Sequence, residues 1–147
     1  MAKVGRAAYA ASRARLEVVT ADKTISKNES GELYAVDAGG AVDITLPNNP
    51  EDGTRYKFMI IDDAGGIISI TTGNTGTQPF QGALLHIDTG DTTDNLVKAN
   101  GASSSDDVLS LKADTEQGSY VICVYSASLS QWLVEGLVIG ETPPTID

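Results

Sequence analysis

The sequence predicts an all-β fold, a β-sandwich of jelly-roll-like form with an N-terminal arm or short helix. Three observations predict it. Apolar residues recur at every second position through residues 33–72: Tyr34, Val36, Val42, Ile44 and Leu46, then Tyr56, Phe58, Ile60, Ile68 and Ile70. That period sends one set of side chains to a core face and the other to solvent. Thr, Ser, Gly, Asp, Val and Ile dominate the chain, which favours strands and turns over helices. Turn-forming clusters interrupt the strand-like runs roughly every eight to twelve residues, the spacing of a sandwich or barrel.

Residues 4–16 (VGRAAYAASRARL) are the one segment with helical character. They are Ala-rich, and Arg6 and Arg13, seven apart, would share a helix face. Alanine buries little area, so such a helix is marginal alone and orders by docking on a neighbour. Residues 16–20 and 24–26 read as brief strands. Residues 33–37 and 41–46 flank Ala38-Gly39-Gly40 and read as a hairpin. Residues 55–62 and 67–72 flank Asp63-Ala64-Gly65-Gly66 and read as a second hairpin, similar in style without amounting to a repeat. Residues 71–80 (TTGNTGTQPF) read as a loop. Strands are expected at 83–88 and 95–99, on either side of an acidic turn, and at 108–113 after the polar loop 100–106. Residues 120–126 and 131–138 close the chain as a hairpin. The tail 141–147 (ETPPTID), with two prolines, is expected to run extended over the surface or across to a neighbour.

The 147 residues suffice for one domain. The expected division is a basic arm at 1–27, a sandwich at 28–140 and an extended tail at 141–147. The net charge of −10 is unevenly placed. Residues 1–27 hold six basic and two acidic groups, and residues 28–147 hold four basic and eighteen acidic ones. A body so acidic repels nucleic acid, so no nucleic-acid partner is expected; the basic segment suits an acidic protein surface. No apolar run approaches the roughly 18 residues of a membrane span, and no membrane partner is expected. The basic N-terminus has no apolar segment behind it of the kind a secretory signal needs. Synthesis in a cytoplasm is the expectation.

Candidate chemical groups are few. Cys123 is the only cysteine; it lies in an apolar run and reads as a small buried thiol. His86 is the only histidine, too few with one thiol for a structural zinc site. Asp88, Asp91 and Asp94 offer oxygen ligands, but their spacing does not match a calcium loop, and with Asp62-Asp63 and Asp106-Asp107 they read as turn residues. Trp132 reads as a core or hairpin anchor, with a sugar-binding platform as the functional alternative. No nucleophile elbow, phosphate loop or H-E-x-x-H stretch occurs. The expectation is no enzyme, no cofactor and no metal.

The segments Ile44-Thr45-Leu46-Pro47, Gly53-Thr54-Arg55-Tyr56-Lys57-Phe58, Ile68-Ser69-Ile70-Thr71 and Trp132-Leu133-Val134-Glu135-Gly136, in their order, resemble a β module of tailed-bacteriophage virion proteins. The module is that of capsid decoration (cement) proteins and of some head or tail fibres. The resemblance spans residues 31–138 and implies a β-sandwich, often trimeric, that sits on or projects from a virion.

The expected function is therefore a capsid decoration protein on the particle surface, binding and stabilising adjacent major capsid subunits as a homotrimer. The alternative is a fibre module that binds a receptor or glycan; a cellular carbohydrate-binding module is a third reading, disfavoured by sparse aromatics. The residues expected to touch the partner are Lys3, Val4, Arg6, Tyr9, Arg13, Arg15 and Leu16. The arm's apolar side chains, repeated over many copies, would supply most of the affinity, because exposed ion pairs contribute only about 0–1 kcal/mol each.

Overall fold

In the computed structural model, residues 15–90, 93–101 and 106–147 are described. Lys3, Val4, Arg6, Tyr9 and Arg13, and all of the expected helix before Arg15, lie outside them.

Two mixed sheets pack face to face, as expected of an all-β sandwich. The strands are β1 (Leu16–Val19), β2 (Lys23–Thr24), β3 (Leu33–Val36), β4 (Val42–Thr45), β5 (Arg55–Ile60) and β6 (Ile68–Thr71). They are followed by β7 (Phe80–Asp88), β8 (Asn95–Asn100), β9 (Val108–Leu111), β10 (Tyr120–Ser126), β11 (Gln131–Gly140) and β12 (Thr145–Ile146). The larger sheet has the order β1-β3-β5-β10-β11-β7-β8, the smaller β12-β9-β6-β4-β2. Between them lie Tyr34, Tyr56, Phe58, Phe80 and Trp132 from the larger sheet and Val42, Ile44, Ile68, Ile70 and Leu109 from the smaller, all buried in one core cluster.

The winding is not that of antiparallel Greek keys. The first six strands alternate between sheets, so that β1, β3 and β5 lie parallel in one and β2, β4 and β6 parallel in the other. The chain thus coils three times around the core before the hairpins β7–β8 and β10–β11 complete the larger sheet. The two Gly-rich connections are consequently corners between sheets and not hairpins. The corners stack: the Gly65 N–H donates to the Ala38 carbonyl at 2.8 Å, and a Cβ at Gly65 or Gly66 would strike the backbone of Gly39, Gly40 or Ala41. Two hairpin turns could not nest in this way; only residues without a side chain let successive coils approach so closely.

The coil is also a repeat. Asp37-Ala38-Gly39-Gly40 and Asp63-Ala64-Gly65-Gly66 are 26 residues apart, and Val42 pairs with Ile68 and Ile44 with Ile70 at that same offset. Between β3 and β5 the offset is 24, as in Tyr34 with Phe58. Ile61 and Asp62 lengthen the later corner and hide the repeat from a fixed-period comparison.

Both ends of the expected domain division change. Residues 16–27 belong to the sandwich: β1 and β2 form its first coil, with Val19 and Ile25 buried in the core. The tail returns to its own chain, since β12 pairs with β9 and Asp147 exchanges backbone hydrogen bonds with Val108.

Candidate docking face

Side chains on the outer face of the smaller sheet are polar except for Val108. Asp43, Thr45, Ser69, Thr71 and Ser110 alternate there with the core residues of β4, β6 and β9. The larger sheet is the reverse. Residues paired in register point to the same side, so one row can be followed strand by strand across it: Val18, Ala35, Met59, Tyr120, Leu137, Leu85 and Leu96. All seven are apolar or aromatic, one from every strand. Val18, Leu85 and Leu96 are 56%, 47% and 68% exposed.

The neighbouring row reads Leu16, Leu33, Lys57, Ile122, Glu135, Ala83 and Lys98. A third runs through Arg55, Val124, Leu133 and Gln81. Ala35 and Ile122 are buried yet stand outside the core cluster, covered by their neighbours on this face. Lys57 lies over the Tyr120 ring, its ammonium 5.0 Å from the centroid. Shallow depressions between Ile122, Val124 and Leu133 and between Ala83, Leu96 and Lys98 give the face relief. A sheet face with solvent as its only neighbour alternates apolar-in with polar-out; contiguous exposed apolar surface is the kind found where a protein, a membrane or a ligand docks.

The charge of the face also departs from the body. Arg55, Lys57 and Lys98 are three of the four basic residues in 28–147, and Glu135 is the acid on these three rows. Of the residues expected to touch a partner, Leu16 lies on this face, at its β1 edge and 60% exposed. Arg15 donates to Glu32 at 3.2 Å, which ties it to its own chain.

Several ionisable groups elsewhere are engaged in holding the fold. Glu17, Glu29 and Glu32 converge, one carboxylate oxygen of each within 4.8 Å of the others; Lys23 bridges two of them, at 2.9 Å from Glu17 and 3.1 Å from Glu29, and Arg15 pairs with the third. Burial works to lower the Lys23 pKa, but its carboxylate partners outweigh it and the net shift is upward. For Glu29, burial works upward and is outweighed by the Ser26 N–H and Lys23, so its pKa falls below the usual carboxylate value. Beside this network burial raises the Tyr34 pKa, and the nearby carboxylates add to the shift. Tyr56, raised to about 12 for the same reasons, donates to the Ser26 carbonyl at 3.3 Å.

The turn acids serve the loops. Asp94 accepts from the Asp88 N–H and Asp88 from the Gly90 N–H; Asp91 lies outside the described residues. Asp63 accepts from Gln117, Asp106 from Asn100, and Asp107 from Thr72 and Gly76. His86 is buried, and its Nε2 donates to the Gly140 carbonyl at 3.0 Å. Cys123 is buried, which pushes its thiol up to about 12. Trp132 is fully buried against Tyr56 and Tyr125, with centroids 5.9 and 5.3 Å away. It is a core anchor and offers no platform to a sugar.

None of the seven residues of the apolar row is among the contacts that sequence reasoning expected. A signal existed: Val121-Ile122-Cys123-Val124 and Leu137-Val138-Ile139 are unbroken apolar runs. Strands buried on both faces read as such near-continuous apolar runs. No family model matches the chain, and no curated protein matches it in sequence.

Proposed function

We propose that this chain is a structural, non-enzymatic protein that works by adhesion, with its larger sheet covered by protein. Its setting in this reading is the outer shell of a tailed-bacteriophage particle, where it decorates and stabilises adjacent major capsid subunits. The observation that carries the adhesive part is the apolar row, one residue from each strand of the larger sheet. Supporting it, Glu17, Glu29, Glu32, Asp63, Asp94 and Asp107 are engaged in ion pairs or loop hydrogen bonds, and His86 and Cys123 are buried. The setting comes from the sequence resemblance, and the basic leading segment supplies reach toward an acidic shell surface.

The test is co-sedimentation with particles that lack the protein, using the full chain and a chain beginning at residue 15. The full chain is expected to pellet with particles, and the shortened chain to stay folded and remain in the supernatant. A full chain that never pellets would overturn the decoration role. Equal binding by the shortened chain would remove the leading segment from it.

A further inference from the structure

We infer that the larger sheet is covered by a second copy of this chain, the two sheets packed face to face about a twofold axis parallel to β10. The inference rests on the reading of that face as protein-covered and adds the identity of what covers it.

The strand order carries the argument. β10 is the middle of seven strands, with β5, β3 and β1 on one side and β11, β7 and β8 on the other. A twofold axis along β10 therefore lays β5 over the partner's β11, β3 over its β7 and β1 over its β8, with each row kept over itself. In the mixed row, Lys57 then meets the second copy's Glu135, twice by symmetry; within one chain the two are separated by β10. Sizes are complementary where β3 meets β7. Ala35 would lie opposite Leu85, and Leu33 opposite Ala83, so that large residues face small ones and can interdigitate. An isologous contact requires this self-complementarity.

The extent is adequate. Six inter-strand spacings of about 4.8 Å by the roughly 20 Å length of β10 give about 600 Å² in projection. Side-chain relief brings this toward the ~800 Å² that each partner contributes to a standard interface. Packed sheets keep their strand directions within about 30° of each other and lie about 10 Å apart, which admits the parallel alignment of the two β10 strands; the twist of each sheet carries the outer strands apart and leaves the centre of the face in closest register. A foreign acidic surface would leave Glu135, in the middle of the face, opposite like charge, whereas a second copy pairs Glu135 with Lys57 and sets Arg55 and Lys98 opposite Leu133 and Leu16.

Sedimentation equilibrium of the full chain at micromolar concentration should give twice the 15.3 kDa chain mass. Lys57→Glu alone and Glu135→Lys alone should each shift the protein to monomer, because each sets like charges against each other at both symmetry-related places. Mixing the two monomeric variants should restore a two-chain species, since Glu at 57 then meets Lys at 135 and the unaltered pair is kept. That recovery also shows that both variants are folded. A monomeric wild type, a three-copy mass of the kind the resemblance implies, or variants that do not recombine would each overturn the inference. A monomer that still pellets with particles would refute this pairing while leaving the decoration role standing, and a dimer that does not pellet would do the opposite.

Discussion

Removing residues 1–27 should unfold or severely weaken the protein relative to a chain that begins at residue 15. The longer deletion takes away β1 and β2, and with them Val19 and Ile25, which are 4% and 2% exposed. Burying an aliphatic side chain of this size contributes about 1.5–3 kcal/mol, so the pair accounts for roughly 3–6 kcal/mol. The Lys23 ion pairs add little, because such pairs near the surface contribute about 0–1 kcal/mol. Domains of this kind are stable by only about 5–15 kcal/mol in total. With a urea dependence of about 2 kcal/mol per molar, a loss of about 4 kcal/mol lowers the midpoint by about 2 M. The assay is urea denaturation followed by the fluorescence of Trp132, the only tryptophan. Equal midpoints for chains beginning at residues 28 and 15 would refute the placement of the first coil in the core.

Trp132→Ala should cost about 3–5 kcal/mol, as expected for a large aromatic removed from a packed core; a loss below about 1 kcal/mol by circular dichroism in urea would contradict its burial. Cys123 should resist a thiol reagent at pH 8 in the native state and react at once in denaturant, since burial holds the thiol near a pKa of about 12; fast native labelling would show that the strand is open. Lys23→Met should destabilise the fold by a constant amount between about pH 5 and pH 10, and by less outside that window. The lowered Glu29 pKa contributes stability above its ordinary 4.5 that is lost as pH falls through the depressed value, and the raised Lys23 pKa contributes stability up to 10.5 that is lost as pH climbs through the elevated one. A difference between variant and wild type that does not vary from pH 3 to pH 11 would refute the network.

The strands were legible because their signal is local. Val42, Ile44, Tyr56, Phe58, Ile68 and Ile70 alternate in the sequence and all enter the core, and β10 spans the residues expected of it. What Ala38-Gly39-Gly40 does was not legible, because a Gly-rich turn permits either a hairpin or a corner between sheets. The choice depends on whether β4 finds β3 or β6, a contact 26 residues away. The docking face lay further out of reach. Val18, Met59 and Leu96 look unrelated in the chain, and they form one row only once the registers of seven strands are fixed. Lys3 to Arg13 stood out for charge and for the charge contrast with the body and lie outside the described residues; of the two expected contacts that are described, Arg15 and Leu16, Leu16 reaches the face.

The place of β10 has a consequence for biosynthesis. It joins β5 to β11 in the larger sheet, yet Tyr120–Ser126 follow most of the chain off the ribosome. Until they emerge, the nascent polypeptide presents the unpaired margin of β5, with Phe58 and Ile60 beside it, as an open template for wrong pairing. Any message cut short before codon 120 therefore specifies a product with a raw, sticky flank, and full-length translation is what seals it.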